Sequence, residues 1–353
     1  MAEASPFWRR DKHADRRPRL LLRARVMSAL RAYFAAREFI EVEPAILQVS
    51  PGNEAHLHGF ATTLHAPDGG PAPAWLHTSP EFAMKKLLAA GESRIFALTR
   101  VFRNKERGAL HAPEFTMLEW YRTHEPLEAI MLDCADILRL AAEAAGATQF
   151  TFRGRSADPL ALAQRLRVRE AFLRYAGIDL YASLPLGAPP DAARLAQDAM
   201  GAGLRLAPDD RWSDIFSRIL SERVEPHLGL GEPVILYEYP ACEAALARVC
   251  AHDPRVAERF ELYVCGVELA NAFGELTDAS EQRRRLLDEM DEKQRVYGER
   301  YPLDEDFLNA LEHMPQASGA ALGVDRLIML ACGAQRIDEV QWTPVFMPTR
   351  GGR

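Results

Sequence analysis

Apolar residues at Leu22, Val26, Ala29, Leu30, Tyr33 and Phe34 recur at the helical period, so a helix over Leu20–Phe39 is predicted to open the folded part of the chain. It gives way to Phe39-Ile-Glu-Val-Glu-Pro44, an extended edge segment whose unpaired backbone groups need cover, which makes residues 26–44 a natural dimer seam. Residues 47–75 are rich in Gly, Pro, His and Ala and read as loops with a short strand near Phe60–Leu64. A periodic helix over Phe82–Ala90 and a strand over Arg94–Phe102 follow. From Val101 to Tyr121 the switches between apolar and polar are too frequent for one buried helix; they predict two antiparallel strands joined by a charged loop. Helices are expected over Glu128–Gly146, Arg167–Gly177, Trp212–Val224 and Ser280–Tyr297, and a strand over Pro233–Tyr239. Two strands meet at a turn around Cys265-Gly266, and a last apolar helix opens at Asp325-Arg326.

Composition narrows the class. At 353 residues and 48% hydrophobic content the chain can bury a sizeable core, as one large or two medium domains. A net charge of -7 argues against non-specific grip on nucleic acid, although residues 1–19 carry six basic side chains and read as a flexible basic arm. Five cysteines without a CxxC suggest neither a disulfide framework nor a thiolate zinc site. No apolar run reaches the roughly eighteen residues of a membrane span, and a cytoplasmic protein is expected.

Four stretches carry candidate chemistry. Arg103 lies where a strand is half buried, and a guanidinium there needs an anionic partner, either a ligand phosphate or carboxylate or an internal Glu. In Thr78-Ser-Pro-Glu81 the hydroxyls are helix caps on one reading; on another, Glu81 at a sheet end receives a substrate ammonium. Glu261 and Glu268 return toward each other across a hairpin among apolar neighbours and would repel unless a cation lies between them, a donor set suited to Mg2+. Asn271 and Glu275 extend that polar face and are fit for an amine. The small residues from Ala317 to Gly323 allow close backbone approach to a ligand, or simply pack, and Arg326 beyond them can reach a base or a phosphate. Neither a Walker motif nor a dinucleotide fingerprint is present.

Together these segments resemble the catalytic core of class II aminoacyl-tRNA synthetases of the lysyl type, over roughly residues 22–345. Phe39–Pro44 is similar to motif 1, Phe102–Phe115 to motif 2 and Ala321–Arg326 to motif 3, while residues 78–81 and 268–275 resemble the lysine-pocket segments. No anticodon-reading domain fits before residue 20, and the runs at 116–122, 302–311 and 321–331 look most like the shorter elongation factor P beta-lysine ligases. The resemblance implies an α+β fold, an antiparallel sheet flanked by helices, as one catalytic domain over residues 20–350 with a variable peripheral segment at about 180–212. It implies a homodimer, ATP and Mg2+ as cofactors, (R)-beta-lysine as substrate, and elongation factor P as protein acceptor, with no anticodon contact.

Under that resemblance Arg103 holds the α-phosphate and the substrate carboxylate, and Arg326 the γ-phosphate end. Adenine lies between Phe115 and Arg326, His111 touches the outer phosphates, and Glu106 joins the nucleotide contacts. Glu261 and Glu268 hold the metal. Thr78, Ser79, Glu81, Glu119, Tyr121, Asn271 and Glu275 line the amino-acid pocket, which Ala321 narrows where the synthetase motif has glycine. Two departures stand out: Lys105 replaces the usual glutamate two residues after the motif 2 arginine, so that the loop shifts by one onto Glu106 or the contact is lost, and Ala112 replaces an amide. A minimal lysyl-tRNA synthetase with another acceptor and a non-catalytic regulatory paralogue remain as alternatives.

Overall fold

The computed structural model describes residues 7–65, 67 and 69–345. Helix α1 (Arg10–Ala35) is followed by β1 (Ile40–Glu41), β2 (Leu47–Gln48), β3 (Phe60–His65) and β4 (Pro71–Leu76). Then come α2 (Glu81–Ala89), the hairpin strands β5 (Arg94–Phe102) and β6 (Glu114–Thr123), and α3 (Leu127–Ala145). Short strands β7 (Phe150–Phe152), β8 (Arg155–Ala157) and β9 (Gln164–Arg167) lead into α4 (Val168–Ala171), α5 (Ala192–Gly201) and α6 (Trp212–Ile219). The last third holds β10 (Val234–Pro240), β11 (Val256–Val264), β12 (Val267–Gly274), α7 (Ala279–Tyr297), α8 (Glu305–Leu311), β13 (Ala317–Gly323) and α9 (Val324–Cys332).

Eight strands form one sheet in the order β1-β5-β6-β13-β12-β11-β10-β9. The predicted antiparallel pairing holds for every inner pair, whereas β1 on β5 and β9 on β10, at the two edges, are parallel. Strand alternation then assigns the two faces. Leu118 and Trp120, Ala270 and Ala272, and Ala320 and Leu322 join α1, α3 and α9 in the main hydrophobic core. Their odd-numbered neighbours Glu119 and Tyr121, Asn271 and Phe273, and Gly319 and Ala321 line a cavity on the opposite face. A polar floor spanning these strands is thus a consequence of register: Ala321 pairs with Glu119 on one side and with Asn271 on the other.

Two local expectations are corrected, and a third segment takes on more definite form. Residues 10–19 are helical rather than a flexible arm, because Arg16 donates to the carbonyls of Asp338 and Gln341 and Arg19 pairs with Glu339 at 2.6 Å. These contacts hold the turn although Pro18 gives up one backbone hydrogen bond; residues 1–6 lie outside the described residues. The loop-rich stretch before residue 76 contains a three-stranded sheet, β2-β4-β3. Its middle strand is disguised by Pro71 and Pro73, which are tolerated because β2 pairs only with Trp75 and Leu76. The peripheral segment builds a satellite core in which Leu195 and Ala199 meet Phe172, Trp212, Phe216 and Tyr239.

Arg23 joins three elements of the main layer. Its guanidinium donates to Asp325 Oδ1 at 3.0 Å and to Thr116 Oγ1 at 2.6 Å, and Asp325 Oδ2 accepts the Thr116 amide at 2.7 Å. All three residues are buried. Removing one member of such a pair strands a charge in the core, so Arg23→Met is expected to cost about 3–5 kcal/mol in denaturant unfolding; a loss below about 1 kcal/mol would show that the pair is incidental.

Candidate active site

The cavity on the polar face has a volume of about 370 Å³. Of the residues singled out from the sequence, Ser79, Glu81, Arg103, Glu106, His111, Phe115, Glu119, Tyr121, Glu261, Glu268, Asn271, Glu275, Ala321 and Arg326 all line it. Thr78 does not: its hydroxyl donates to Pro51 O at 2.7 Å, and its own carbonyl accepts from Arg103 Nε at 3.3 Å. Thr78 therefore serves the site through its backbone.

The closed end is acidic. Glu119 accepts from Ser79 Oγ at 2.5 Å and from Tyr121 OH at 2.7 Å, which fixes both of its oxygens. Ser79 also accepts the Glu81 amide at 3.2 Å, so the capping reading and the pocket reading of this serine hold together. Lys85, one turn after Glu81 on α2, is wholly buried; it pairs with Glu81 and, at 2.6 Å, with Glu275. Burial works against that ammonium, but Glu275 and Glu81 outweigh it and hold it charged. Two carboxyl groups, Glu81 and Glu275, thus share one internal cation, and Glu119 lies within its field. Burial pushes Glu119 up to about 8 and Glu275 up to about 7, Glu81 adding repulsion and Lys85 opposing it in both cases. Asn271 Oδ1 is buried with no hydrogen-bond donor among the described residues. A cavity floor with surplus acid and an orphaned acceptor suits an incoming ammonium.

The open end is cationic. Arg326, in the first turn of α9, donates to Leu110 O at 3.2 Å and Glu268 O at 2.8 Å, and its Nη2 reaches His111 Nε2 at 2.8 Å. A guanidinium has no acceptor, so His111 Nε2 accepts; burial and then Arg326 lower the His111 pKa, consistent with a neutral ring. Arg103 stands 5.4 Å over the Phe115 ring. Lys105 has a left-handed backbone (φ 65°) and turns out of the cavity, pairing with Glu299 at 3.0 Å above the Tyr297 ring. The next residue, Glu106, lines the cavity in its stead, as a one-residue shift of the loop requires. Ala112 is buried against the main core and also borders the cavity, where it brings a methyl in place of an amide.

Glu261 and Glu268 lie on the two strands of the β11–β12 hairpin, in register with Asn271 and Tyr263 respectively, and both line the cavity; the turn is Cys265-Gly266 with both residues at positive φ. Glu261 accepts from Tyr239 OH and Tyr263 OH, each at 2.6 Å, and from Arg259 at 2.7 Å. Its carboxylate is oriented and largely satisfied. Among the described residues the Glu268 carboxylate meets only Arg326, at 3.4 Å, and burial followed by repulsion from Glu261 raises its pKa. Among the described residues no group of three or more His, Cys, Asp or Glu is arranged to hold a metal. The hard oxygen donors present fit Mg2+, with Glu268 as the available ligand, Glu261 beside it, and remaining positions left to phosphate and water.

Three contributors escape a reading of the sequence, and a fourth, Gly319, is visible there only as one of a run of small residues. Lys85 was signalled only by its i+4 spacing from Glu81. Arg259 shares a strand face with Glu261, a period-two relation. A Cβ on Gly319 would run into the Tyr121 ring, so the floor needs glycine there. Glu54, in the Gly- and Pro-rich stretch, lines the cavity without any sequence signal.

The family described as tRNA synthetases class II (D, K and N) matches residues 8–346. The chain belongs to that family. Its relatives include proteins named elongation factor P–(R)-beta-lysine ligase from Edwardsiella ictaluri, 41% identical with 91% of this chain and 93% of the relative covered, and from Proteus mirabilis, 41% identical with 93% and 95% covered. A protein of the same name from Haemophilus influenzae is 39% identical, with 91% and 93% covered. The class II core expected from the motifs is therefore the fold of this chain, and the match reaches back into the helical residues before Leu20.

The acid floor sets a pH dependence. Glu119 binds a proton in the folded state at pH values where the unfolded chain, near its ordinary carboxylate range, has lost it; its contribution to stability is present below about 4.5 and is lost as pH rises toward about 8. Glu119→Gln removes that titration at the cost of one pH-independent hydrogen bond. The variant is expected to gain on the wild type at up to about 1 kcal/mol per pH unit between pH 5 and 8 in thermal unfolding without substrate. A stability difference that stays flat across this window would contradict the assignment.

Proposed function

We propose that this chain is an ATP-dependent ligase that activates (R)-beta-lysine as an aminoacyl-adenylate and transfers it to the ε-amine of a lysine of elongation factor P. The observation that carries this reading is the match to relatives of that name over nine-tenths of both chains. The cavity supports it independently, since an acidic closed end and a cationic open end fit a dibasic amino acid whose carboxylate faces a nucleotide triphosphate.

Arg103, beside Phe115, takes the substrate carboxylate and the α-phosphate, drawing the attacking oxygen and phosphorus together and offsetting their charge. Arg326, fixed by two carbonyls and His111, faces the outer phosphates, and adenine packs against Phe115. Glu106 adds a carboxylate to the nucleotide contacts in place of the residue that Lys105 replaces. Magnesium held by Glu268, with Glu261 beside it, would supply neutralisation of the departing pyrophosphate. Glu81, Glu119, Asn271 and Glu275 hold the two amino groups, with Ser79 and Tyr121 orienting Glu119 and the Ala321 methyl limiting the width. No side chain is required as a nucleophile.

A homodimer through residues 26–44 belongs to the same reading. The edge strand β1 presents Ile40, and Ile46, Leu47 and Val49 follow it as exposed apolar side chains. Among the described residues no helix is long and apolar enough to cross a membrane, and we place the protein in the cytoplasm with its acceptor.

Intact-mass measurement of purified elongation factor P and acid-precipitable labelling of bulk tRNA, each after incubation with ATP and (R)-beta-lysine, test the reading. Addition of one lysyl mass to the protein with none on tRNA is expected. Label on tRNA alone would make the chain a minimal synthetase, and modification of neither would favour a regulatory paralogue.

A further inference from the structure

Two acids of the cavity, Glu54 and Glu106, have carboxylates with no hydrogen bond or ion pair among the described residues; Glu106 belongs to the nucleotide contacts proposed above, and Glu54 differs from it in being exposed. Glu81, Glu119 and Glu275 are buried at the closed end and engaged by Lys85, Ser79 or Tyr121, whereas Glu54 is exposed at the rim and its carboxylate makes no hydrogen bond or ion pair among the described residues. Its backbone, in contrast, is firmly held. The Asn53 side chain donates to Pro302 O at 3.2 Å, the Ala55 amide donates to Glu289 at 2.8 Å, and the buried Lys293 donates to the carbonyls of Ala55 and Leu57 at 2.9 and 2.6 Å. These bonds come from α7 and the segment that follows it, and they fasten the loop on both sides of Glu54. A loop fixed this thoroughly while its acid is left unpartnered has the form of a prepared site.

We propose that Glu54 receives the acceptor lysine in the second half-reaction and acts as its general base. This rests on the ligase reading above. Glu54 lines both the main cavity and the adjoining recess with Ser79 and Glu81, and it feels the charge of Arg103, the residue assigned to the reacting carboxylate. An amine that arrives from solvent after activation meets the open side first and the buried floor not at all. The floor acids are committed to the amino groups of the activated substrate, which leaves Glu54 for the newcomer.

The chemistry needs such a group. A lysine side chain with a pKa near 10.4 is free amine in only about four parts in ten thousand at neutral pH. Glu54 takes one proton from the ammonium; the nitrogen lone pair then attacks the acyl carbon, a C–N bond forms, the C–O bond to phosphate breaks, and AMP leaves with that electron pair. The second nitrogen proton passes to water as the amide forms, and Glu54 returns its own to solvent. Its surroundings tune the carboxyl for this role. The surrounding protein, with Glu81 and Glu289 adding to its effect and Arg103 and Arg259 opposing, raises the carboxyl from its ordinary range, and solvent at the rim moderates the rise.

The test compares both half-reactions in wild type and Glu54→Gln, with ATP–pyrophosphate exchange for activation and labelled transfer for the second step. Transfer to elongation factor P at pH 7 is expected to fall about 100-fold more than exchange, with the deficit shrinking toward pH 10 and partial recovery in Glu54→Asp. Hydroxylamine, uncharged at neutral pH, needs no base, so hydroxamate formation should track exchange. Transfer that falls no further than exchange, or hydroxylamine capture lost together with protein transfer, would overturn the role. A wild type that exchanges pyrophosphate but modifies no elongation factor P would instead overturn the ligase reading, and the acceptor role with it.

Discussion

Asp325 accepts the Arg23 guanidinium and the Thr116 amide with no exposure of its own, and the geometry of the open end follows from that buried contact. It locks the first turn of α9 to β6 and to the long first helix, so that Arg326, one residue on, and Phe115, one residue before Thr116, are presented to the same cavity. Charge buried in this way contributes little net stability by itself; what it supplies is one allowed register between three elements that are far apart in the chain. The helical residues before Leu20 add to the same joint through Arg16 and Arg19, which grip the segment after α9.

The cavity built on that joint is polarised along its length. Arg103, Arg259 and Arg326 sit toward the end where the phosphates would lie, and three acids with one internal lysine form the other end. For a chain whose net charge is -7, the local concentration of guanidinium is the notable feature, because it directs anions to one place without giving the whole surface an affinity for nucleic acid. Lys85 tempers the floor. Its charge opposes the rise that burial imposes on Glu119 and Glu275, and a substrate ammonium would add to that balance.

Much of this was legible because charged residues interrupt apolar strands. Arg103, Glu119, Glu261 and Glu268 each sit where a strand pattern expects burial, and alternation alone places Glu119 with Tyr121 and Asn271 with Phe273 on the polar face. What was hidden depends on tertiary partners. Lys85 lies in a Met-Lys-Lys run that reads as a solvated helix face until Glu275, distant in sequence, closes over it. Glu54 gives no periodic signal, since its position is set by α7 rather than by its neighbours. The arginine-rich turn before Leu20 has no apolar face of its own, and becomes helix by binding carbonyls from the other end of the chain.

The central claim is that the floor selects its substrate by charge. Rates of ATP–pyrophosphate exchange with (R)-beta-lysine and with a beta-amino acid of equal length that ends in a methyl group in place of the second ammonium test it most directly. The account predicts exchange with the dibasic acid and a loss of at least about 100-fold with the neutral isostere, as expected when buried polar groups are left unpaired. Comparable exchange with both would contradict it, and would mean that shape rather than the acids of the floor governs entry.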